Sequence, residues 1–185
     1  MGVDVASEVL DERLISKIRL IRLMVLDVDG VMTDGRIIMD HAGSEIKNFD
    51  VKDGHGIKVL MKYGIDVILV TGRRSAVVEH RAKDLGIGEV HQGVKNKLEI
   101  SEAILRNRSL NYEHIAFVGD DIVDIPLLKR VGFSVAVADA VEDVKKCADY
   151  VTVRRGGRGA VREVCELILQ AKGEWIDVAK RYEFL

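Results

Sequence analysis

Apolar runs alternate with amphipathic stretches through most of this chain, and their order is its strongest structural signal. Leu23-Met24-Val25-Leu26, Val67-Ile68-Leu69-Val70, Ile115-Ala116-Phe117-Val118 and Ser134-Val135-Ala136-Val137-Ala138 are near-continuous runs of Val, Ile, Leu and Ala. Such runs suit strands of a parallel sheet covered on both faces, not a sheet with one wet face. Shorter strands are predicted near 89–92 and 150–153. Between them, apolar residues recur at helical spacing over about 75–85, 96–108, 122–131, 141–147 and 160–171. A first helix is predicted over 6–22, with Val9, Leu10, Leu14, Ile18 and Leu20 or Ile21 on one face. Strands alternating with helices predict an α/β fold, a doubly wound, mainly parallel Rossmann-like sheet with right-handed crossovers.

Two segments depart from that rhythm. Residues 36–40 and 45–49 flank His41-Ala42-Gly43-Ser44, a Gly-containing loop, and predict an inserted β-hairpin over about 36–49. Asp53-Gly54-His55-Gly56 reads as a tight turn leading into a helix that ends near Gly64. Between Asp29 and Gly72 there is room only for the hairpin and that helix, so no separate cap domain is expected. The whole of 1–185 reads as one domain, with a C-terminal tail at about 173–185 carrying Trp175 and Phe184. Docking of that tail on another subunit is one use for it.

Composition narrows the classes. The 185 residues are 48% hydrophobic and 31% charged with net charge −2, which provides no general attraction to nucleic acid or membrane. The first residues include Asp4 and Glu8 and lack an apolar core, unlike a signal peptide. No run reaches the roughly 18 apolar residues of a membrane span. Cys147 and Cys165 fit no metal-ligand spacing and read as reduced thiols, so a cytoplasmic location is expected.

The candidate chemistry lies where strands end. Asp27-Val28-Asp29-Gly30 follows the first strand, and Gly119-Asp120-Asp121 with Asp124 follows another. Residues i and i+2 of a strand share a face, so Asp27 and Asp29 can aim at one point. Open parallel sheets bind ligands in the crevice beyond their strands' carboxyl ends. Carboxylates gathered there suggest a hard cation, Mg²⁺, holding a phosphate. Asp27 is placed to attack phosphorus, and Asp29 to protonate the departing alkoxide and then deprotonate water. Thr71 supplies a hydroxyl and Lys97 a compact positive charge, while Asp120 completes the metal shell with Asp121 and Asp124 near it. Each short motif alone has a bland reading: a turn for Asp-Val-Asp-Gly, a helix cap for Thr71-Gly72-Arg73. Their joint occurrence in this order at strand ends is what makes the catalytic reading specific.

With these elements the chain resembles the haloacid-dehalogenase superfamily of phosphohydrolases. The resemblance implies Asp27 as nucleophile and Asp29 as acid/base. It also implies metal held by the Asp27 side chain, the Asp29 main-chain carbonyl and Asp120. Further matches extend over roughly 15–175, at Asp53-Gly54-x-Gly56-Ile57, Gln92-Gly93-x-x-x-Lys97, Ser134 to Ala140 and Gly156-Gly157-Arg158-Gly159-Ala160. These resemble the 3-deoxy-D-manno-octulosonate 8-phosphate phosphatase family, and imply a Mg²⁺-dependent homotetramer acting in lipopolysaccharide sugar synthesis. Motif matching implies substrate contacts at Asp29, at Asp50, Val51, Lys52, Asp53 and Gly54, and at Arg73, Arg81 and Lys97. Lys58 is a further candidate, although the family usually has Arg there, and a point charge is a poorer carboxylate fork.

Other readings stay open at this level. Related domains act on nine-carbon sugar-acid phosphates, and a phosphatase-derived regulatory module would keep the fold without turnover. A capless phosphatase can also act on macromolecules. A receiver domain combines Asp, Thr, Lys and Mg²⁺, but its acidic pair precedes its phospho-acceptor, the reverse of the order here. Arg154-Arg155-Gly156-Gly157-Arg158 is the one basic cluster, and it lacks the interleaved aromatics of a nucleic-acid site. It reads as a turn before a helix or as an anion contact across a subunit boundary. His55 sits beside the expected pocket, and the other histidines read as surface or capping residues.

Overall fold

Met24, Val25 and Leu26 have strand neighbours on both sides, and that central position organises the chain. The computed structural model describes residues 11–185. In chain order these form α1 (Glu12–Arg19), β1 (Leu23–Leu26), the hairpin β2 (Ile38–Met39) and β3 (Glu45–Ile46), α2 (Val51–Lys62), β4 (Asp66–Thr71) and α3 (Ala76–Leu85). Then come β5 (Glu89–Gln92), α4 (Lys97–Arg108), β6 (Ile115–Gly119), α5 (Ile125–Leu128), β7 (Phe133–Ala136), α6 (Glu142–Lys145), β8 (Tyr150–Val151), α7 (Ala160–Ala171) and α8 (Trp175–Arg181). Strand order is β5-β4-β1-β6-β7-β8, with every pairing parallel, and the hairpin stands apart as its own ribbon. The apolar runs are the inner strands: every residue of β1, β6 and β7 is buried. This is the doubly wound α/β sheet expected, with the hairpin as its insertion.

Several elements differ from the expectation, each for a local reason. Part of the first predicted helix lies outside the described residues; α1 begins after Asp11, whose side chain accepts from the Leu14 amide. Residues 53–56 are not a turn but lie inside α2, which Asp50 caps by accepting from the Lys52 amide. Their glycines serve close packing: a Cβ on Gly56 would stand 3.1 Å from the Arg162 Cα, where α2 crosses α7. The predicted helix over 122–131 is a 3₁₀ turn, Ile122–Asp124, followed by the short α5. Pro126 sits in the first turn of α5, where its missing N–H costs nothing. Within the C-terminal tail, Val178 and Ala179 of α8 are buried and Trp175 packs against the core. Phe184 lies against the Trp175 ring.

Asp53 fastens the two halves of this packing. Gly159, which precedes α7, has no side chain to cap the helix, and Asp53 does so from α2. Its Oδ2 accepts from the Gly159 amide at 3.2 Å and its Oδ1 from the Arg162 amide at 2.7 Å. Burial pushes the Asp53 carboxyl up to about 6 against the pull of those two amides. A carboxyl whose pKa is higher folded than unfolded adds stability at low pH, and that contribution fades as pH rises through about 6. Asp53→Asn removes the titration, so the stability margin of the unmodified protein over this variant should shrink by about 2 kcal/mol between pH 4.5 and pH 7. Urea unfolding at both pH values measures it; a margin independent of pH would exclude a buried titrating carboxyl at this position.

Candidate active site

The sheet order brings the predicted residues together. β1 lies between β4 and β6, with Leu26 opposite both Leu69 and Val118, so three strand ends meet. Asp27 follows β1 and extends it by one bond, its amide donating to the Val118 carbonyl at 3.1 Å. Thr71 closes β4 and Asp120 follows β6. Lys97 opens α4, whose cap is Asn96, accepting from the Leu98 and Glu99 amides.

Lys97 is the centre of charge. Its ammonium is buried, 2.8 Å from Asp27 Oδ1 and 2.5 Å from Asp124 Oδ1. Asp124, fully buried, uses its other oxygen to accept from the Asp120 amide at 2.9 Å and the Asp121 amide at 3.3 Å. Asp124 is therefore an orienting group that sets both Lys97 and the backbone bearing Asp120. Asp121 is exposed and caps the 3₁₀ turn.

Oxygens of Asp27, Asp120 and Asp124 lie within 4.8 Å of one another, among the described residues. Burial pushes Asp27 up to about 6, with Lys97 opposing the rise and Asp124 adding to it. Asp120 rises to about 8, through burial and then the charges of Asp27 and Asp124. Clustered carboxylates that resist ionising on their own suit a divalent cation, whose charge reverses that preference. With Asp124 committed to Lys97 and two amides, Asp27 and Asp120 are the side chains left to hold Mg²⁺. Gly30 makes room for them: its φ is +93°, and a Cβ there would overlap the Asp120 carboxylate.

Asp29 is set apart from this cluster. Its carboxylate faces the hairpin, where Lys47 donates to Oδ1, and Arg73 Nε stands 3.8 Å from Oδ2. Lys47 also contacts Glu45 Oε1 at 3.2 Å, and Arg73 Nη2 donates to that same oxygen at 2.8 Å. Lys47 and Glu45 were not among the residues singled out from sequence. Their only signal was two-residue spacing around Ile46, which places both charges on one face of β3 and its continuation.

The predicted substrate residues divide. Arg73 lies against Asp29, with Nε 3.8 Å from its Oδ2. Arg81 lies over the Phe49 ring at 5.6 Å, donates to the Asp50 carbonyl at 3.3 Å and pairs with Asp84, so it pins the start of α2. Gly54 accommodates it, since a Cβ there would collide with the Arg81 guanidinium. Asp50 is a helix cap, and both oxygens of Asp53 accept from backbone amides at the start of α7, so the Asp53 side chain is a structural cap. Val51, Lys52 and Lys58 are exposed, with Lys58 about two turns into α2. His55 also lies on α2, edge-on to the Tyr182 ring at 5.6 Å, away from any carboxylate cluster. The loop before α7 leans on the one after Asp29: the Gly157 amide donates to the Val31 carbonyl at 2.9 Å, and Arg158 lies 3.4 Å from Asp34.

Comparison with known proteins agrees with this geometry. A family model described as haloacid dehalogenase-like hydrolase matches residues 86–161. The chain is 48% identical over 166 residues, 90% of its length and 88% of the relative's, to the 3-deoxy-D-manno-octulosonate 8-phosphate phosphatase KdsC of Escherichia coli strain K12. The same enzyme from Yersinia pestis is 49% identical over 152 residues, 82% of this chain and 81% of that one. Among solved structures, a 3-deoxy-D-manno-octulosonate 8-phosphate phosphatase from Moraxella catarrhalis, in complex with magnesium ion, phosphate ion and a KDO molecule, superposes with TM-score 0.91. It is 38% identical, covering 94% of this chain and 99% of that one. With identity of this extent over nearly the whole chain, and the motif residues gathered at one end of the sheet, the chain belongs to the 3-deoxy-D-manno-octulosonate 8-phosphate phosphatase family of haloacid dehalogenase-like hydrolases.

Proposed function

We infer that the chain is a Mg²⁺-dependent phosphatase that hydrolyses 3-deoxy-D-manno-octulosonate 8-phosphate to the free sugar acid and phosphate. The observation that carries this is Asp27 at the end of the central strand, held by a buried Lys97 and neighboured by Asp120. Asp27 attacks phosphorus, the bond from phosphorus to the sugar oxygen breaks, and an aspartyl-phosphate forms. Asp29 gives a proton to the departing alkoxide, then takes one from the water that hydrolyses the intermediate. Lys97 and the Thr71 hydroxyl hold the phosphoryl oxygens. Bound Mg²⁺, held by Asp27, Asp120 and the Asp29 main-chain carbonyl, would neutralise phosphoryl charge so that one anion can approach another. Arg73, with 37% of its side chain exposed, is the cation best placed to meet the sugar acid, with Lys52 and Lys58 farther along α2.

The assembly we propose is a homotetramer. Ile37, Met39 and Ile46 are 62%, 58% and 51% exposed on the hairpin, and an isolated two-stranded ribbon is marginal in water. Packing against other copies would bury that face and supply the cover that a capless site lacks. Two free cysteines fit the reducing cytoplasm as its location. Among the described residues no helix is long and apolar enough to cross a membrane.

A panel of 3-deoxy-octulosonate 8-phosphate, sialic-acid 9-phosphate and hexose phosphates, with Mg²⁺ and with chelator, tests specificity. Metal-dependent release should strongly favour the eight-carbon acid, whereas even release over the panel would discard the specificity but keep the chemistry. Asp27→Asn should lower turnover about 10³-fold or more with the fold intact, and near-normal activity would sink the nucleophile assignment. Saturating Mg²⁺ should raise the melting temperature by about 5 °C or more, and Asp120→Asn should erase that response. Sedimentation should find four copies together, with Ile46→Lys shifting them toward smaller species.

A further inference from the structure

We propose that Lys47 is a positioning residue for the reaction: from the hairpin it anchors one oxygen of Asp29 and leaves the other to move the proton. The inference rests on the reading of Asp29 as acid and base. Four contacts close a ring of alternating charge that includes this carboxylate: Lys47 on Asp29 Oδ1, Lys47 on Glu45 at 3.2 Å, Arg73 on Glu45 at 2.8 Å, and Arg73 beside Asp29 Oδ2 at 3.8 Å. The last distance lies outside hydrogen-bonding range. Among the described residues, Oδ1 is thus hydrogen-bonded and Oδ2 is not. Two cations face two carboxylates, so orientation is fixed without net charge added to the site.

The Lys47 side chain is 1% exposed, which separates it from a substrate contact. A buried ammonium is costly unless its partners are well placed, and here both partners are carboxylates already beside the chemistry. Arg73, at 37%, is the most exposed member of the ring, and Asp29, at 23%, keeps access to solvent. A carboxylate on a short side chain has two free torsions. Tying one oxygen to a group carried by a different element removes both, and a misplacement of about 1 Å can cost about 10²-fold in rate. The ribbon therefore contributes directly to the geometry of proton transfer.

The test compares a substrate whose leaving group needs a proton with one whose leaving group does not. Lys47→Met keeps the apolar stem and removes the charge. On the sugar phosphate, kcat should fall about 10²-fold with KM within about threefold, while kcat/KM for p-nitrophenyl phosphate should stay within about threefold, since nitrophenolate departs unprotonated. Lys47→Arg, which restores a cation, should recover at least about tenfold of the lost kcat, and it repeats the comparison should the Met variant fold poorly. Equal losses on both substrates, a rise in KM alone, or no loss would each overturn the proposal. Asp29→Asn is the control. If it splits the two substrates and Lys47→Met does not, the positioning role fails while Asp29 stays acid and base; if it shows no split, the assignment of Asp29 itself fails.

Discussion

The buried ammonium of Lys97 is the constraint on which the remaining site geometry depends. It lies between Asp27 and Asp124, two carboxylates from different strand ends, and comes from the first turn of a third element. Burying three charges costs several kcal/mol per ion before their attraction is counted, and apolar residues of similar volume would serve stability as well or better. The cluster is therefore better understood as geometry kept for chemistry than as a source of stability. Removing one member would strand the others as unpaired buried charges.

Consequences spread outward from that contact. Asp124 can bind Lys97 with one oxygen because the other is engaged by the amides of Asp120 and Asp121, which fixes the loop after β6. Asp120 can approach Asp27 because Gly30 has no side chain and adopts a left-handed backbone. Asp27, Lys97 and Asp124 are thus carried at strand ends and a capped helix start, where positions are reproducible. The ribbon and the opening of α2 carry side chains of a different kind, from the buried Lys47 to the exposed Val51.

Much of this was legible in the residues. Asp27, Asp29, Thr71, Lys97 and Asp120 announce themselves because strand-end position and two-residue spacing are local properties. The alternation of apolar runs with helical periods was enough for the sheet, though not for the ends of its elements. Gly54 and Gly56 looked like a turn because glycine favours turns locally, while their actual use is to let α7 and Arg81 come close, which depends on segments far along the chain. Asp53 stands out only as part of a motif, and its capping of a helix over a hundred residues away leaves no local trace. Lys47 drew no attention because its partner, Asp29, is set by tertiary folding and not by spacing. The residues misread are those whose partners are distant in sequence.

The glycine pair before α7 has a consequence for how the protein is made. Gly157 bonds to the Val31 carbonyl, and Gly156 lies so close to the Gly30 carbonyl that a side chain there could not fit. The loop that follows Asp27 thus leans on chain that a ribosome delivers only after most of the polypeptide has emerged. Domains form as synthesis proceeds, and an unfinished one here lacks the brace beneath its own catalytic loop. Reactive competence arrives late in translation, when the strands, the buried ammonium and the brace are all present. A nascent fragment that ends before Gly156 carries the strand-end carboxylates and Lys97 without this brace.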